Sequence, residues 1–316
     1  MCGIAGIVHR REAVRCVARG LYALQHRGHD SCGVAYIDSN TGLLEAHSAS
    51  GAVADVLPNE YTSRIESTMA IGQNLYTTYG SKHSQQPFSG RFWDAKGNDH
   101  HLALSHNGQL CGIDRLRKKY PAIYRTHSDS EVIFSLLPHM PGETIVEKIR
   151  HLLNELDGAF SLLMIADGQL VAVRDSRGFR PLIMGTDQDG GIAFASEINA
   201  FDLMGVHFER QVRPGEMIVV SPDSKVTSIE FKQRSENLSQ CVFEHIYFAR
   251  PDNQLFGKAS YSTQIELGRQ TARELKGTLQ ADMVMAVPDS ANIATLGFSK
   301  ESGFPLQVGL LRHHYA

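Results

Sequence analysis

From residue 3 to residue 231 the chain is rich in short apolar runs of strand length, with a few helical stretches inserted. Runs of that kind, rich in Val, Ile, Leu and Phe, read as strands. They fall at 3–8, 34–37, 68–76, 101–106, 159–165, 169–174, 181–185, 191–195, 217–220 and 226–231, with a turn at Asp38-Ser39-Asn40-Thr41-Gly42 after the second. A few stretches have helical spacing instead. Glu12 to Gln25 places Val14, Val17, Leu21 and Leu24 on one face and stops before Gly28. A helix is predicted at 129–138, and another at 142–156 with Ile145, Ile149, Leu152 and Leu153 inward. Many strands with few helices suit two sheets covered by helices, an α+β arrangement.

The pattern changes near residue 240. Val242 to Phe248 reads as a strand, 261–276 as a helix, 283–287 as a buried strand, 291–301 as a helix and 305–310 as a strand. Strand, helix, strand is one parallel unit of a doubly wound domain. Two domains are therefore expected, at 2–235 and 240–316, the second incomplete.

Charge and cysteine usage exclude several classes. Lys and Arg total 31 and Asp and Glu 34, a net charge of −3, which calls for neither nucleic acid nor an acidic membrane surface. No apolar run is long enough to span a bilayer. The five cysteines, Cys2, Cys16, Cys32, Cys111 and Cys241, form no C-x-x-C pair and suggest a reducing, cytoplasmic setting rather than a disulfide or zinc scaffold. The adjacent pairs His100-His101 and His313-His314 read as surface residues, and no metal site is expected.

Cys2 carries the chemistry. Removal of Met1 would make it the first residue, joining a thiol of pKa about 8.5 to an α-amine of about 7.7–8.0. Nucleophile and base would then share one residue. Taken alone, Cys2 reads as a small buried apolar side chain rather than a nucleophile.

Its surroundings extend the pattern. Residues 2–7 read C-G-I-A-G-I, 24–33 L-Q-H-R-G-H-D-S-C-G, 104–108 L-S-H-N-G and 128–131 S-D-S-E. Gln86-Pro87-Phe88, D-S-R-G-F-R-P-L at 175–182, Ala195-Ser196-Glu197, Arg213-Pro214-Gly215-Glu216 and C-V-F-E-H-I-Y-F-A-R-P-D at 241–252 follow in register. Together these resemble the class II glutamine amidotransferases with an N-terminal cysteine nucleophile, and among them the amidophosphoribosyltransferase family of purine synthesis. The resemblance covers the whole chain.

It implies a four-layer αββα N-terminal-nucleophile (Ntn) sandwich followed by part of an α/β phosphoribosyltransferase-like domain. It also implies that Cys2 attacks the side-chain amide of L-glutamine, with Asn107 and Gly108 as the oxyanion pair and Asp129 binding the α-amino group. Arg27, Gly28, Tyr76 and Thr78 match pocket residues. From the residues alone, His106-Asn107-Gly108 is also a tight turn, Ser128 or Asp129 a helix N-cap, and Arg27 a cation at a helix C-terminus. No cofactor is implied for the glutaminase half. Magnesium belongs to the complete family enzyme, as does phosphoribosyl pyrophosphate. Homo-oligomers are the family's habit. Cys241 matches a ligand of its iron–sulfur members, but a cluster needs about four thiolates, so a buried thiol in a strand is expected instead.

Two departures qualify the resemblance. The family reads G-H-x-R-Y-x-T where this chain has Gly72-Gln73-Asn74-Leu75-Tyr76-Thr77-Thr78, so Leu75 replaces the arginine that forks onto the substrate carboxylate. Losing that pair would weaken glutamine by about one to three orders of magnitude, unless Lys82, Arg91 or Arg125 substitutes. In the second domain, Pro288-Asp289-Ser290-Ala291 resembles the phosphoribosyl-site segment P-D-S-[SG], but no phosphate loop follows. A truncated chain carrying only the glutaminase half-reaction is expected. The alternatives are a non-catalytic binding paralogue and an Ntn hydrolase acting on another amide.

Overall fold

The computed structural model describes residues 2–76, 86–122, 124 and 126–312. These divide into two compact units, Met1–Gln240 and Cys241–Ala316.

In the first unit the short strands assemble into two antiparallel sheets. The strands are β1 (Gly3–Val8), β2 (Ser31–Ile37), β3 (Leu44–Ser50), β4 (Met69–Leu75), β5 (Phe88–Trp93), β6 (Asp99–Cys111) and β7 (Asp157–Ala166). They continue as β8 (Gln169–Arg174), β9 (Ile183–Asp187), β10 (Ile192–Ala195), β11 (Val206–Gln211), β12 (Glu216–Val220) and β13 (Val226–Glu230). One sheet runs β11-β9-β10-β1-β4-β2-β3, the other β13-β12-β8-β7-β6-β5.

Strand periodicity explains the layering, because successive side chains point to opposite faces. Along β7, Leu163 and Ile165 enter the apolar layer between the sheets, where they meet Ile4, Ile71, Phe194 and Ile218. Leu162, Met164 and Ala166 face outward onto helices. Those helices are α5 (Asp129–Leu136) and α6 (Ile145–Glu155). They contribute Val132, Ile133, Leu136, Ile149, Leu152 and Leu153. The outer face of the first sheet is covered by α1 (Ala13–Ala23) and α7 (Ile198–Met204). Val14, Val17, Leu21, Phe201 and Met204 pack there on Ala5 and Ile7. The order helix, sheet, sheet, helix is the expected αββα sandwich. Short helices α2 (Val53–Val56), α3 (Asn59–Thr62) and α4 (Ile113–Lys119) sit in the connections. Side chains start the two long outer helices: Ser128 accepts from Ser130 N, and Thr144 and Glu147 form a capping box.

The second unit holds a helical turn at Glu244–Phe248, a small hairpin (Gln254–Leu255 with Lys258–Ala259), α8 (Ser260–Glu274) and α9 (Asn292–Ser302). Gly268 and Gly297 let the two helices touch backbone to backbone. A Cβ at Gly268 would lie 1.8 Å from Ala294 O, and one at Gly297 2.0 Å from Ile265 O.

Four expectations are corrected. Val242–Phe248 is a helical turn rather than a strand, with Val242, Phe243, Ile246 and Tyr247 exposed. The predicted strands 283–287 and 305–310 make one parallel bridge, Val284 with Leu306. Among the described residues neither extends into a ladder. Cys241 is half-exposed and outside any strand. His100 is buried, because β6 begins at Asp99 and its alternation turns that imidazole inward. There it meets Asp167 Oδ2 at 2.7 Å and stacks on Phe92. His313 and His314 lie outside the described residues.

Candidate active site

β1 is a central strand, hydrogen-bonded to β10 on one side and β4 on the other. Cys2, immediately before it, is therefore held at the end of the layer between the sheets and is only 7% exposed. Ile4 fixes the strand's start by exchanging bonds with Ser196: Ile4 N donates to Ser196 Oγ and Ser196 N to Ile4 O, each at 3.0 Å.

Asn107 comes from β6 of the facing sheet and is fully buried. Its Oδ1 accepts from Cys2 N at 3.2 Å. That bond sets the orientation of the carboxamide and leaves Nδ2 buried with no hydrogen-bond partner among the described residues. A buried donor left unmade costs about 1–3 kcal/mol, so such a group calls for an explanation. Next to it Gly108 adopts φ +155°, and a Cβ there would fall 1.9 Å from Ala159 O. Only glycine fits.

Arg27 ends a tight turn, Gln25–Arg27, after α1 and is fully buried. Its Nε donates to Cys2 O at 3.1 Å, and its guanidinium pairs with the buried Glu197 carboxylate. Burial alone would raise the Glu197 carboxyl. The Arg27 charge and the His26 imidazole, 3.1 Å away, overcome this and lower it. Gly28 then lets β4 pass close beneath it, since a Cβ would lie 2.6 Å from Leu75 C.

Asp129 opens α5. Its Oδ2 accepts from Leu110 N at 2.9 Å, two residues beyond Gly108, and its side chain keeps 21% exposure. The neighbouring His106 is buried and its protonation is pushed down by burial, partly opposed by the Asp129 charge. Ser130 Oγ lies 2.9 Å from His106 Nδ1.

The structure thus brings Cys2, Arg27, Asn107 and Gly108 together, with Asp129 beside Leu110 on the same strand. Leu75 ends β4, half-buried, and its carbonyl accepts from Asp30 N at 3.1 Å. Tyr76 is 40% exposed and edge-on to His29. Thr78, Lys82 and Arg125 lie outside the described residues. Arg91 does not replace the missing arginine. It pairs with Asp99 and stands opposite His101 in register. That is six residues from Asn107 along β6, about 20 Å at the usual strand rise. In the second unit, Asp289 pairs with Arg312 at 2.8 Å. Among the described residues no group of three His, Cys, Asp or Glu side chains is placed to hold a metal ion.

Sequence reasoning singled out neither Glu197 nor Gln73 as working residues. Ala195-Ser196-Glu197 stood out only as a motif, and its partner Arg27 lies 170 positions away.

The four layers, with a cysteine leading the central strand, define the class of N-terminal-nucleophile glutamine amidotransferases. A family model for a glutamine amidotransferase domain matches residues 74–203. Chloroplastic amidophosphoribosyltransferase of Glycine max is 37% identical over 320 residues, 99% of this chain and 54% of that protein. The amidophosphoribosyltransferase of Archaeoglobus fulgidus is 34% identical, over 100% of this chain and 68% of that protein. The solved structure of glutamine phosphoribosylpyrophosphate amidotransferase from B. subtilis matches with a TM-score of 0.87 at 33% identity, covering 99% of this chain and 67% of that one. The chain belongs to the amidophosphoribosyltransferase family, and spans about half to two thirds of the length of these relatives.

Proposed function

We propose that this chain carries the glutaminase half of an amidophosphoribosyltransferase reaction, hydrolysing L-glutamine to L-glutamate and ammonia. The observation that supports it most is the buried, unpartnered Nδ2 of Asn107 beside Cys2. Such a donor suits a charge that exists only during the reaction.

With Met1 removed, the Cys2 amine retains an N–H for Asn107 Oδ1 and a lone pair for a proton. The amine takes the thiol proton, and Sγ attacks the carboxamide carbon. The tetrahedral oxyanion is met by Asn107 Nδ2 and the Gly108 N–H. On collapse the C–N bond breaks, the amine returns the proton to the leaving nitrogen, and ammonia departs from a γ-glutamyl thioester. Water then adds to the thioester, gives its proton to the amine and releases glutamate, restoring the thiol. Asp129 holds the substrate's α-ammonium. Transfer of the ammonia to phosphoribosyl pyrophosphate, the activity named for the relatives, is assigned to a longer assembly. In this chain Asp289 and Ser290 would contribute to that site. A homo-oligomer is part of the same reading.

Leu75 favours a second reading, an amide donor without an α-carboxylate. Ammonia and glutamate release from L-glutamine is the test, with Cys2→Ala as control and intact mass to establish Met1 removal. Release that vanishes in Cys2→Ala is expected. No release from a processed N-terminus would overturn the glutaminase reading, and Cys2-dependent cleavage of an apolar amide instead would establish the second.

A further inference from the structure

Among the described residues β6 loses a neighbour where the candidate site begins. Its pairing with β5 ends at Phe88 opposite Leu104, while its pairing with β7 continues through Asn107 to Cys111. In an antiparallel ladder alternate residues direct both backbone groups to one side. At His106 those groups face the side from which β5 has gone. Gln73 fills the gap from the other sheet. Its Nε2 donates to His106 O at 2.8 Å, and its Oε1 accepts from His106 N at 2.8 Å. Gln86 Oε1 adds a longer contact to the same N–H, 3.3 Å. Gln73 itself is fully buried on β4, opposite Ile4 of β1 in register.

We infer that Gln73 is a positioning residue that sets the distance between the nucleophile and its oxyanion donor. Its carboxamide acts as a one-residue surrogate strand, tying the sheet that carries Cys2 to the residue immediately before Asn107. The inference rests on the glutaminase reading and deepens it. A carboxamide presents donor and acceptor side by side, as a backbone partner does. An imidazole directs its two nitrogens apart and could not make this pair of hydrogen bonds to one residue. Leucine at the position would leave the His106 carbonyl unmet and its N–H with only the longer Gln86 contact, freeing β6 to draw away. A displacement of about 1 Å at a reacting centre costs roughly 10²-fold.

The test is a kinetic series at several pH values on the processed protein. Gln73→Leu should lower kcat for Cys2-dependent ammonia release about 10²-fold while KM changes little, because the donor acts on the reacting carbonyl rather than on substrate capture. Gln73→Glu separates positioning from packing. Ionised, it accepts from His106 N but repels His106 O. Protonated, it donates and accepts as glutamine does. Its kcat relative to the unsubstituted protein should therefore rise as pH falls. Unchanged kcat in Gln73→Leu, or a Gln73→Glu deficit independent of pH, would overturn the inference. If the unsubstituted protein releases no ammonia, the glutaminase reading fails first. Hydrogen exchange then decides the tie alone: Gln73→Leu should speed exchange at the His106 amide in a protein whose circular dichroism is unchanged, and unaltered protection would overturn it.

Discussion

Replacing Arg27 with methionine removes a cation that is fully buried and bonded to the Cys2 carbonyl. The side chain's volume is kept, so the cost is electrostatic. Breaking a buried ion pair from one side costs about 3–5 kcal/mol, since the surviving charge has lost its compensation. Glu197 retains His26 at 3.1 Å, which argues for the lower end, about 3 kcal/mol. At a urea slope of about 3 kcal/mol/M, that lowers the unfolding midpoint of the first unit by about 1 M. The deficit must also depend on pH. In the unsubstituted protein the Glu197 carboxyl is lowered, so its stabilisation is present above the unfolded value and lost as pH falls. In Arg27→Met burial should raise the same carboxyl. Between the unfolded value and that raised one, the folded state holds a proton the unfolded chain has released, so stability falls as pH rises. The gap between the two proteins should be widest near pH 8 and narrow towards pH 5. Urea titrations at both values, followed by circular dichroism, measure it. A midpoint shift under about 0.3 M at pH 8 would refute the reasoning. So would a deficit equal at both pH values, or a double variant Arg27→Met/Glu197→Gln no more stable than the single.

Gly108→Ala should be among the more damaging single-methyl changes, since its Cβ would lie 1.9 Å from Ala159 O at φ +155°. A loss of about 3 kcal/mol corresponds to a fall in Tm of about 6–12 °C, read by calorimetry, and a change under about 2 °C would contradict the geometry. Among the thiols, burial pushes Cys16 up to about 11 and Cys32 up to about 12. N-ethylmaleimide at pH 8 should therefore modify the exposed Cys111 while leaving those two intact in the folded protein. Peptide mass mapping checks this, and comparable labelling of Cys16 or Cys32 would exclude the buried placement.

Legibility followed burial. β1, β7 and β8 were readable because almost every residue is buried, giving unbroken apolar runs. β3 (Leu-Glu-Ala-His-Ser-Ala-Ser) escaped notice because it is an edge strand with a largely exposed, polar sequence. β11 was missed for the same reason. Val242–Phe248 misled because its β-branched and aromatic residues favour strands in general, yet here they lie exposed on a helical turn. Within the site, local sequence pointed to Cys2 and to His106-Asn107-Gly108. It could not show that Arg27 is held by Glu197, or that Gln73 serves His106, since those partners meet only after the sheets pack. Ser128 and Asp129 were readable as a helix start, and both do begin α5.

The position of β1 also sets a clock. The strand that seats Cys2 is made well before its neighbour on one side, β10, and Ile4 closes its bonds on Ser196, 192 residues later. At synthesis rates of about 5–20 residues per second, β1 waits roughly 10–40 s before that seat exists. Throughout this interval β1 has no β10 beside it, and Cys2 lacks the seat that buries it. The burial of Cys2 is therefore a late event of folding, decided by the arrival of β10 and Ser196 rather than by its own neighbours in sequence.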